Sequence, residues 1–155
     1  MMDKTLEELY NLKKQDVELT RVETKSGRWL ELFENPKKPG QEVEEIDGHS
    51  WRYIPTDRYK VEIVFPEFTC RCPRTSQPDF AVITIEYSPS EWCVELKSLK
   101  YFLNSFRDEG HFHEQVVNLI YDDLEGVLKP ISLYVKGRFN VRGGTYPTVR
   151  VGRRY

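Results

Sequence analysis

Along the first sixteen residues, apolar positions fall at helical spacing, with Leu6, Leu9 or Tyr10 and Leu12 on one side. Acidic residues come early and lysines late, as a helix dipole prefers. This predicts a peripheral N-terminal helix. From 35 to 55 the chain is polar and punctuated by Pro36, Pro39, Gly40 and Gly48, which reads as loop and insertion with a short hairpin around Asp47-Gly48. Tyr59, Val61, Ile63 and Phe65 then alternate with polar residues, as do Ala81, Ile83, Ile85 and Tyr87, so two half-buried strands are expected over 59–65 and 80–87. A turn over 88–91 precedes Leu96, Leu99, Leu103 and Phe106 at helical spacing, with Gly110 as the stop. A second helix is expected from about Phe112 to Leu128, on the stripe Val116, Leu119, Ile120 and Leu124. Strict alternation from Ile131 to Phe139 predicts a third strand, and 146–151 a fourth, across the glycine turn VRGGT.

The order ββααββ indicates an α+β fold: an antiparallel four-stranded sheet with two helices on one face. Its other face needs a partner. At 155 residues one domain suffices, with 1–29 as a peripheral segment, 30–155 as the domain and an insertion near 40–56.

Charge narrows the classes further. With 31% charged residues and a net charge of −2, the chain reads as a soluble globular protein with no large nucleic-acid footprint. Only the C-terminal stretch holding Arg138, Arg142, Arg150, Arg153 and Arg154 is conspicuously basic. No apolar run is long enough to span a membrane, and the N-terminus lacks a signal-peptide pattern, so a cytoplasmic location is expected. Three cysteines in a reducing compartment argue against a disulfide framework.

The chemistry concentrates in TCRCPRTSQPDF, Thr69 to Phe80. A thiolate at Cys72 needs a neighbour that lowers its pKa or takes its proton, and Asp79 lies seven residues on across a Pro-bounded turn. A rival reading takes Cys70, Cys72, His111 and His113 as zinc ligands, although the CxC and HxH spacings depart from the common forms. Cys93, between Trp92 and Val94, reads as a small buried hydrophobe. The lysines of VELKSLKYF and the RGG turn suit a phosphate as readily as a solvated surface.

Taken together, LELFENP, PEFTCRCPRTSQPDF, VELKSLKYFLNSFRDEGHFHE and VRGGT resemble, in order and spacing, the NADPH-dependent 7-cyano-7-deazaguanine reductases, the nitrile reductases of queuosine biosynthesis. The likeness runs from about Leu30 to Gly144, leaving out the insertion. It implies the tunnelling fold, in which ββααββ units form rings, here two stacked pentamers, with sites between subunits. Carried over by position, it makes Cys72 the nucleophile that forms a thioimide, Asp79 the acid and His113 a helper in proton delivery. It assigns Val94, Glu95, Leu96, His113 and Glu114 to the deazapurine substrate, and Lys97, Lys100, Arg142 and Gly143 to NADPH. Cys70 departs from the family pattern, which often has a small residue there. Two other readings stand beside it: the related archaeosine-forming amidinotransferase acting on tRNA, and a non-catalytic or zinc-binding oligomer of the same fold. The lysine-bearing stretch from Glu95 to Phe102 favours reduction over the first of these.

Overall fold

A computed structural model describes residues 17–153 apart from 47 and 49. The expected N-terminal helix lies outside the described residues. The main sheet comprises β5 (Val61–Arg71), β6 (Pro78–Ser88), β8 (Ser132–Phe139) and β9 (Thr148–Gly152), antiparallel in that order. Two helices, α1 (Leu96–Asn104) and α2 (His113–Leu128), connect β6 to β8. The ββααββ order is therefore as the alternation predicts.

One face of this sheet is the core. Ala81, Ile83, Ile85 and Tyr87 of β6 pair with Phe139, Gly137, Val135 and Leu133 of β8 and are buried with Leu99, Leu103, Val117 and Ile120 of the helices. Gly137 is the point of closest approach: a Cβ there would lie 2.6 Å from Val117 Cγ2, so a larger residue would lift α2 off β8. On the opposite face Val64, Phe80, Arg138 and Arg150 are exposed.

β5 is longer than its alternation foretells because its phase changes. Phe65 pairs with Ile83 and Phe68 with Ala81, three residues on β5 spanning two on β6, a bulge that absorbs Pro66. Val61, Ile63 and Phe65 face the core before it, Phe68 and Cys70 after it. One inserted residue thus turns the strand's even positions inward and buries Cys70.

A second sheet, β1 (Thr20–Glu23), β2 (Trp29–Glu34) and β7 (Trp92–Val94), was not apparent from the pattern. Leu30 and Leu32 of β2 close the core beside α1. The short hairpin expected within the 35–55 insertion is present and longer than foreseen, β3 (Gly40–Glu45) with β4 (Trp51–Thr56), paired over six residues. Gly110 does not stop a helix: α1 ends at Asn104, and Gly110 instead bridges in parallel to Arg71, where a Cβ would meet Pro73 Cα at 3.3 Å.

Candidate active site

The loop after β5 closes on itself through Cys72 N–H donating to the Gln77 carbonyl at 2.8 Å and Ser76 N–H to the Cys72 carbonyl at 2.9 Å. Ser76 turns the chain with φ +58°. Asp79 follows as the second residue of β6. Alongside, Arg71 N–H donates to the Glu109 carbonyl at 2.9 Å and His111 N–H to the Arg71 carbonyl at 3.0 Å, so the α1–α2 connection lies against the end of β5. This delivers His113, the first residue of α2, to the same corner.

There, Asp79 is 7% exposed and sits between two partners. His113 Nε2 is 3.3 Å from one carboxylate oxygen and Arg142 Nε is 3.1 Å from the other. The His113 ring stacks on Phe139 at 3.8 Å, with 10° between planes. Arg142 also donates to Gln77 Oε1 at 3.3 Å and to the Pro78 carbonyl at 3.0 Å. Its backbone pairs with Thr145 around Gly143, whose φ is +55°.

The two thiols in this corner differ sharply. The Thr75 hydroxyl, with the N–H groups of Arg74 and Thr75, stabilises the Cys72 thiolate and lowers its pKa, outweighing burial and the nearby Asp79 charge. Burial, aided by the Asp79 charge and by Cys72, pushes Cys70 up to about 11. Cys72 is thus the more readily ionised of the two thiols, and Cys70 is held as a buried neutral thiol. The four residues of the zinc reading do not converge. Cys70 faces the core, His111 Nε2 is bound to Glu109 at 2.8 Å, and no group of three or more metal-ligating side chains occurs among the described residues.

Val94, Glu95 and Leu96 lie toward the far end of the sheet, whereas Glu114 follows His113 on α2 and Gly143 follows Arg142. Glu95 caps α1 by accepting from the Lys97 and Ser98 N–H groups at 2.8 and 2.7 Å. Val94 N–H donates to Tyr87 Oη at 3.2 Å, which ties this segment to the end of β6 remote from Asp79. Val94, Glu95 and Leu96 line a cleft of about 590 Å3 with Phe33, Tyr59, Val61, Tyr87 and Cys93. Lys97 and Lys100 are exposed on α1, and Glu114 is exposed in the first turn of α2. The proposed site residues therefore form two groups. Tyr87 and Asp79 are eight residues apart on β6, roughly 26 Å along a strand.

The sequence reading passed over three contributors. Thr75 sets the Cys72 thiol, Phe139 holds His113, and Arg28 braces the connection that carries both histidines. The Arg28 guanidinium lies 3.8 Å from the Phe106 ring centroid, bonds both Glu109 oxygens and donates to Ser105 Oγ at 2.7 Å. Ser26, which accepts from Arg28, is held in turn by the buried Asp123 carboxylate. Only Thr75 lies inside a stretch already singled out.

Comparison with known proteins bears on this geometry. A family model described as QueF-like protein matches residues 78–154. The NADPH-dependent 7-cyano-7-deazaguanine reductase of Thermomicrobium roseum is 51% identical over 114 residues, 74% of this chain and 86% of that protein. The reductase of the same name from Nitrosococcus oceani is 49% identical over 114 residues, 74% and 85% of the two chains. That of Anaeromyxobacter dehalogenans is 49% identical over 133 residues, 84% and 95% of the two chains. Among solved structures, the apo archaeosine synthase QueF-Like superposes with a TM-score of 0.54 at 16% identity, covering 61% of this chain and 90% of that one. At that identity the likeness is one of fold, and it supports the tunnelling fold for this chain.

Proposed function

The chain belongs to the NADPH-dependent 7-cyano-7-deazaguanine reductases, and from that premise we propose that Cys72, Asp79 and His113 perform its chemistry at a site completed by a second copy of the chain. The reaction reduces the nitrile of 7-cyano-7-deazaguanine to an aminomethyl group, a step of queuosine biosynthesis. The amidinotransferase alternative has less support, since these relatives are named as reductases.

The carrying observation is the split between the two ends of the sheet. The Cys72 corner holds nucleophile, acid, His113 and Glu114, while the Val94–Leu96 cleft is tied to Tyr87, eight residues and roughly 26 Å along β6 from Asp79. A deazapurine is far too small to touch both ends of one subunit. An oligomer that sets the cleft of one copy against the Cys72 corner of the next brings the two groups together, and the exposed face bearing Val64 and Phe80 is available to such packing.

The residues fit the cofactor: Lys97 and Lys100 are exposed cations, and Arg142 stands at the opposite corner. NADPH, when bound, would supply one hydride, so the two that a nitrile requires to become an amine consume two NADPH per turnover. The remaining work belongs to the chain. The Cys72 thiolate forms a carbon–sulfur bond at the electrophilic nitrile carbon, and the nitrile nitrogen takes a proton by way of Asp79. His113, held between Asp79 and Phe139, relays protons to that carboxyl. Breaking the carbon–sulfur bond later in the cycle restores Cys72. Glu114 accepts hydrogen bonds from the base's N–H and amino groups, which a closed pocket would otherwise leave unpaired. Arg142 orients Asp79 from the other side and contributes to cofactor binding across the subunit boundary.

We assign the free base as substrate, in keeping with the net charge of −2, and the cytoplasm as the compartment, in keeping with three free cysteines. Among the described residues no helix is long and apolar enough to cross a membrane. Mixing the protein with 7-cyano-7-deazaguanine and NADPH tests the reading: nicotinamide absorbance should fall, and a covalent adduct should map to Cys72 by mass spectrometry. Absence of both would sink it.

A further inference from the structure

The turn between β1 and β2 sets an arginine against the corner that holds Cys72. Thr24 N–H donates to the Arg28 carbonyl at 2.7 Å, and Gly27, at φ +82°, lets the chain reverse. The Arg28 side chain is 13% exposed. Its guanidinium lies over the Phe106 ring, and each nitrogen has a partner: Nε donates to Ser105 Oγ at 2.7 Å, Nη1 to Ser26 Oγ at 2.8 Å and Nη2 to both Glu109 carboxylate oxygens. Ser26 is fixed from behind by the buried Asp123, whose carboxylate accepts from the Ser26 N–H at 3.0 Å and from its hydroxyl. Asp123 belongs to α2, the helix that His113 begins. One planar cation thus ties α2 to the connection that leads into it from α1. A guanidinium with its fork filled in this way is a rigid joint.

We propose that Arg28 is a positioning residue for the reaction, holding the Cys72 thiol in line with Asp79 and His113 by way of the α1–α2 connection. The inference rests on the chemistry proposed for that corner. Glu109 is the link, because its side chain is bound to Arg28 while its carbonyl accepts from the Arg71 N–H at 2.9 Å. His111, whose Nε2 is 2.8 Å from Glu109 Oε2, donates its own N–H to the Arg71 carbonyl at 3.0 Å. Arg71 is therefore clasped from both sides, and Cys72 is the next residue along. His113 lies two residues beyond His111, so a shift of the connection moves both His113 and Cys72 relative to Asp79 on β6. Attack on a nitrile carbon tolerates little of this, since a displacement of about 1 Å from the productive geometry costs roughly 10²-fold in rate. The partners of the guanidinium are Ser26, Ser105, Phe106 and Glu109, none of them a reacting group, so its influence is on alignment. The groups that stabilise the thiolate, the Thr75 hydroxyl and the N–H groups of Arg74 and Thr75, lie within the Cys72 loop itself.

Arg28→Lys keeps the charge and the stem over Phe106, but a single ammonium cannot reach Ser105, Ser26 and both Glu109 oxygens at once. Two rates at Cys72, measured on the full chain, separate alignment from the reactivity of the thiol. One is formation of the covalent adduct with 7-cyano-7-deazaguanine in the absence of NADPH, and the other is alkylation by iodoacetamide. Adduct formation should slow by roughly 10- to 100-fold, as for a misplacement approaching 1 Å, while alkylation stays at the parent rate. Millimolar guanidinium added to Arg28→Ala should restore part of the lost adduct rate where equal sodium chloride does not, a response that a general loss of stability would not give. Ser105→Ala removes only the Nε partner and should show the same pattern at smaller amplitude, which keeps the test open if Arg28→Lys does not fold. Adduct formation as fast as the parent's in these variants would overturn the positioning role and leave Cys72 as the nucleophile. So would a parallel fall in adduct formation and alkylation, which would put the defect in the thiol's own loop. If the parent forms no adduct, the reading of the Cys72 corner fails and the positioning role fails with it.

Discussion

His113 Nε2 lies 3.3 Å from Asp79 Oδ2, and the same imidazole stacks on Phe139 at 3.8 Å. A ring gripped on its face by β8 and at its edge by a β6 carboxylate has little freedom to move, which is what proton transfer between fixed partners requires. Replacing Asp79 with Asn keeps the shape but removes the exchangeable carboxyl proton. Turnover of NADPH with the nitrile should fall by roughly 10²–10⁴-fold, in the range of a lost general acid. Steady-state absorbance decides it, with NADPH affinity measured separately. A variant within a few-fold of the parent would remove Asp79 from the proton path.

The lowered Cys72 pKa makes a separate prediction about selectivity. Reaction with iodoacetamide goes through the thiolate, so its rate climbs with pH and levels off above the thiol's pKa. Cys72 should reach its plateau at a lower pH than a free cysteine, while Cys70, raised to about 11 and buried, should stay unmodified through neutral pH. Thr75→Val removes the leading stabilising hydrogen bond and should move the Cys72 midpoint upward. Peptide mapping across a pH series reads both sites at once. An unmoved midpoint in the variant would show that the backbone N–H groups alone hold the thiolate.

Much of this was legible from the pattern alone, because the core strands and helices are amphipathic in the ordinary way. Ile83, Ile85, Val135 and Phe139 alternate as they do because one face of the main sheet is covered. Cys72 and Asp79 drew notice by residue type, but spacing alone left zinc ligation open, and it was the family resemblance that singled them out. The losses have physical causes. Pro66 and the bulge reverse the inward phase of β5, so alternation ended at Phe65 although the strand continues to Arg71. β1 is an exposed edge strand with no apolar face to detect, and the polar β3 hides the length of its hairpin though not its presence. Arg28 carried no local signal, since its partners Ser105 and Glu109 lie 77 and 81 residues away.

The proposed sharing of the site between copies predicts complementation. Cys72→Ala removes the proposed nucleophile at one end of the subunit, and Lys97→Ala removes a proposed cofactor cation at the other. Each variant alone should be nearly inactive. When the two are dissociated, mixed in equal amounts and reassembled, roughly a quarter of the interfaces should unite an intact Cys72 with an intact Lys97 from different chains. Activity should recover toward that fraction, and size-exclusion chromatography should show the oligomer that restores it. If mixing restores nothing while reassembled parent protein is active, each site is built within one subunit.

The Arg28–Glu109 contact predicts a pH-dependent stability. Burial raises the Glu109 pKa, but the hydrogen bond from His111 and the Arg28 charge outweigh it, leaving the folded carboxyl below its ordinary value. A carboxyl depressed by folding stabilises fully above its unfolded pKa of about 4.3, and that contribution disappears as pH falls through the lower folded value. Arg28→Ala should therefore be less stable than the parent at neutral pH, with the gap narrowing once pH drops below about 4. The gap should not close completely, because Arg28 also covers the Phe106 ring at 3.8 Å, a contact indifferent to pH. Glu109→Gln separates the two parts by removing the carboxylate while leaving Arg28 on the ring. Urea unfolding of parent and both variants across that pH range measures each. A parent-to-Arg28→Ala gap that stays constant with pH would assign the whole effect to packing and none to the charge pair.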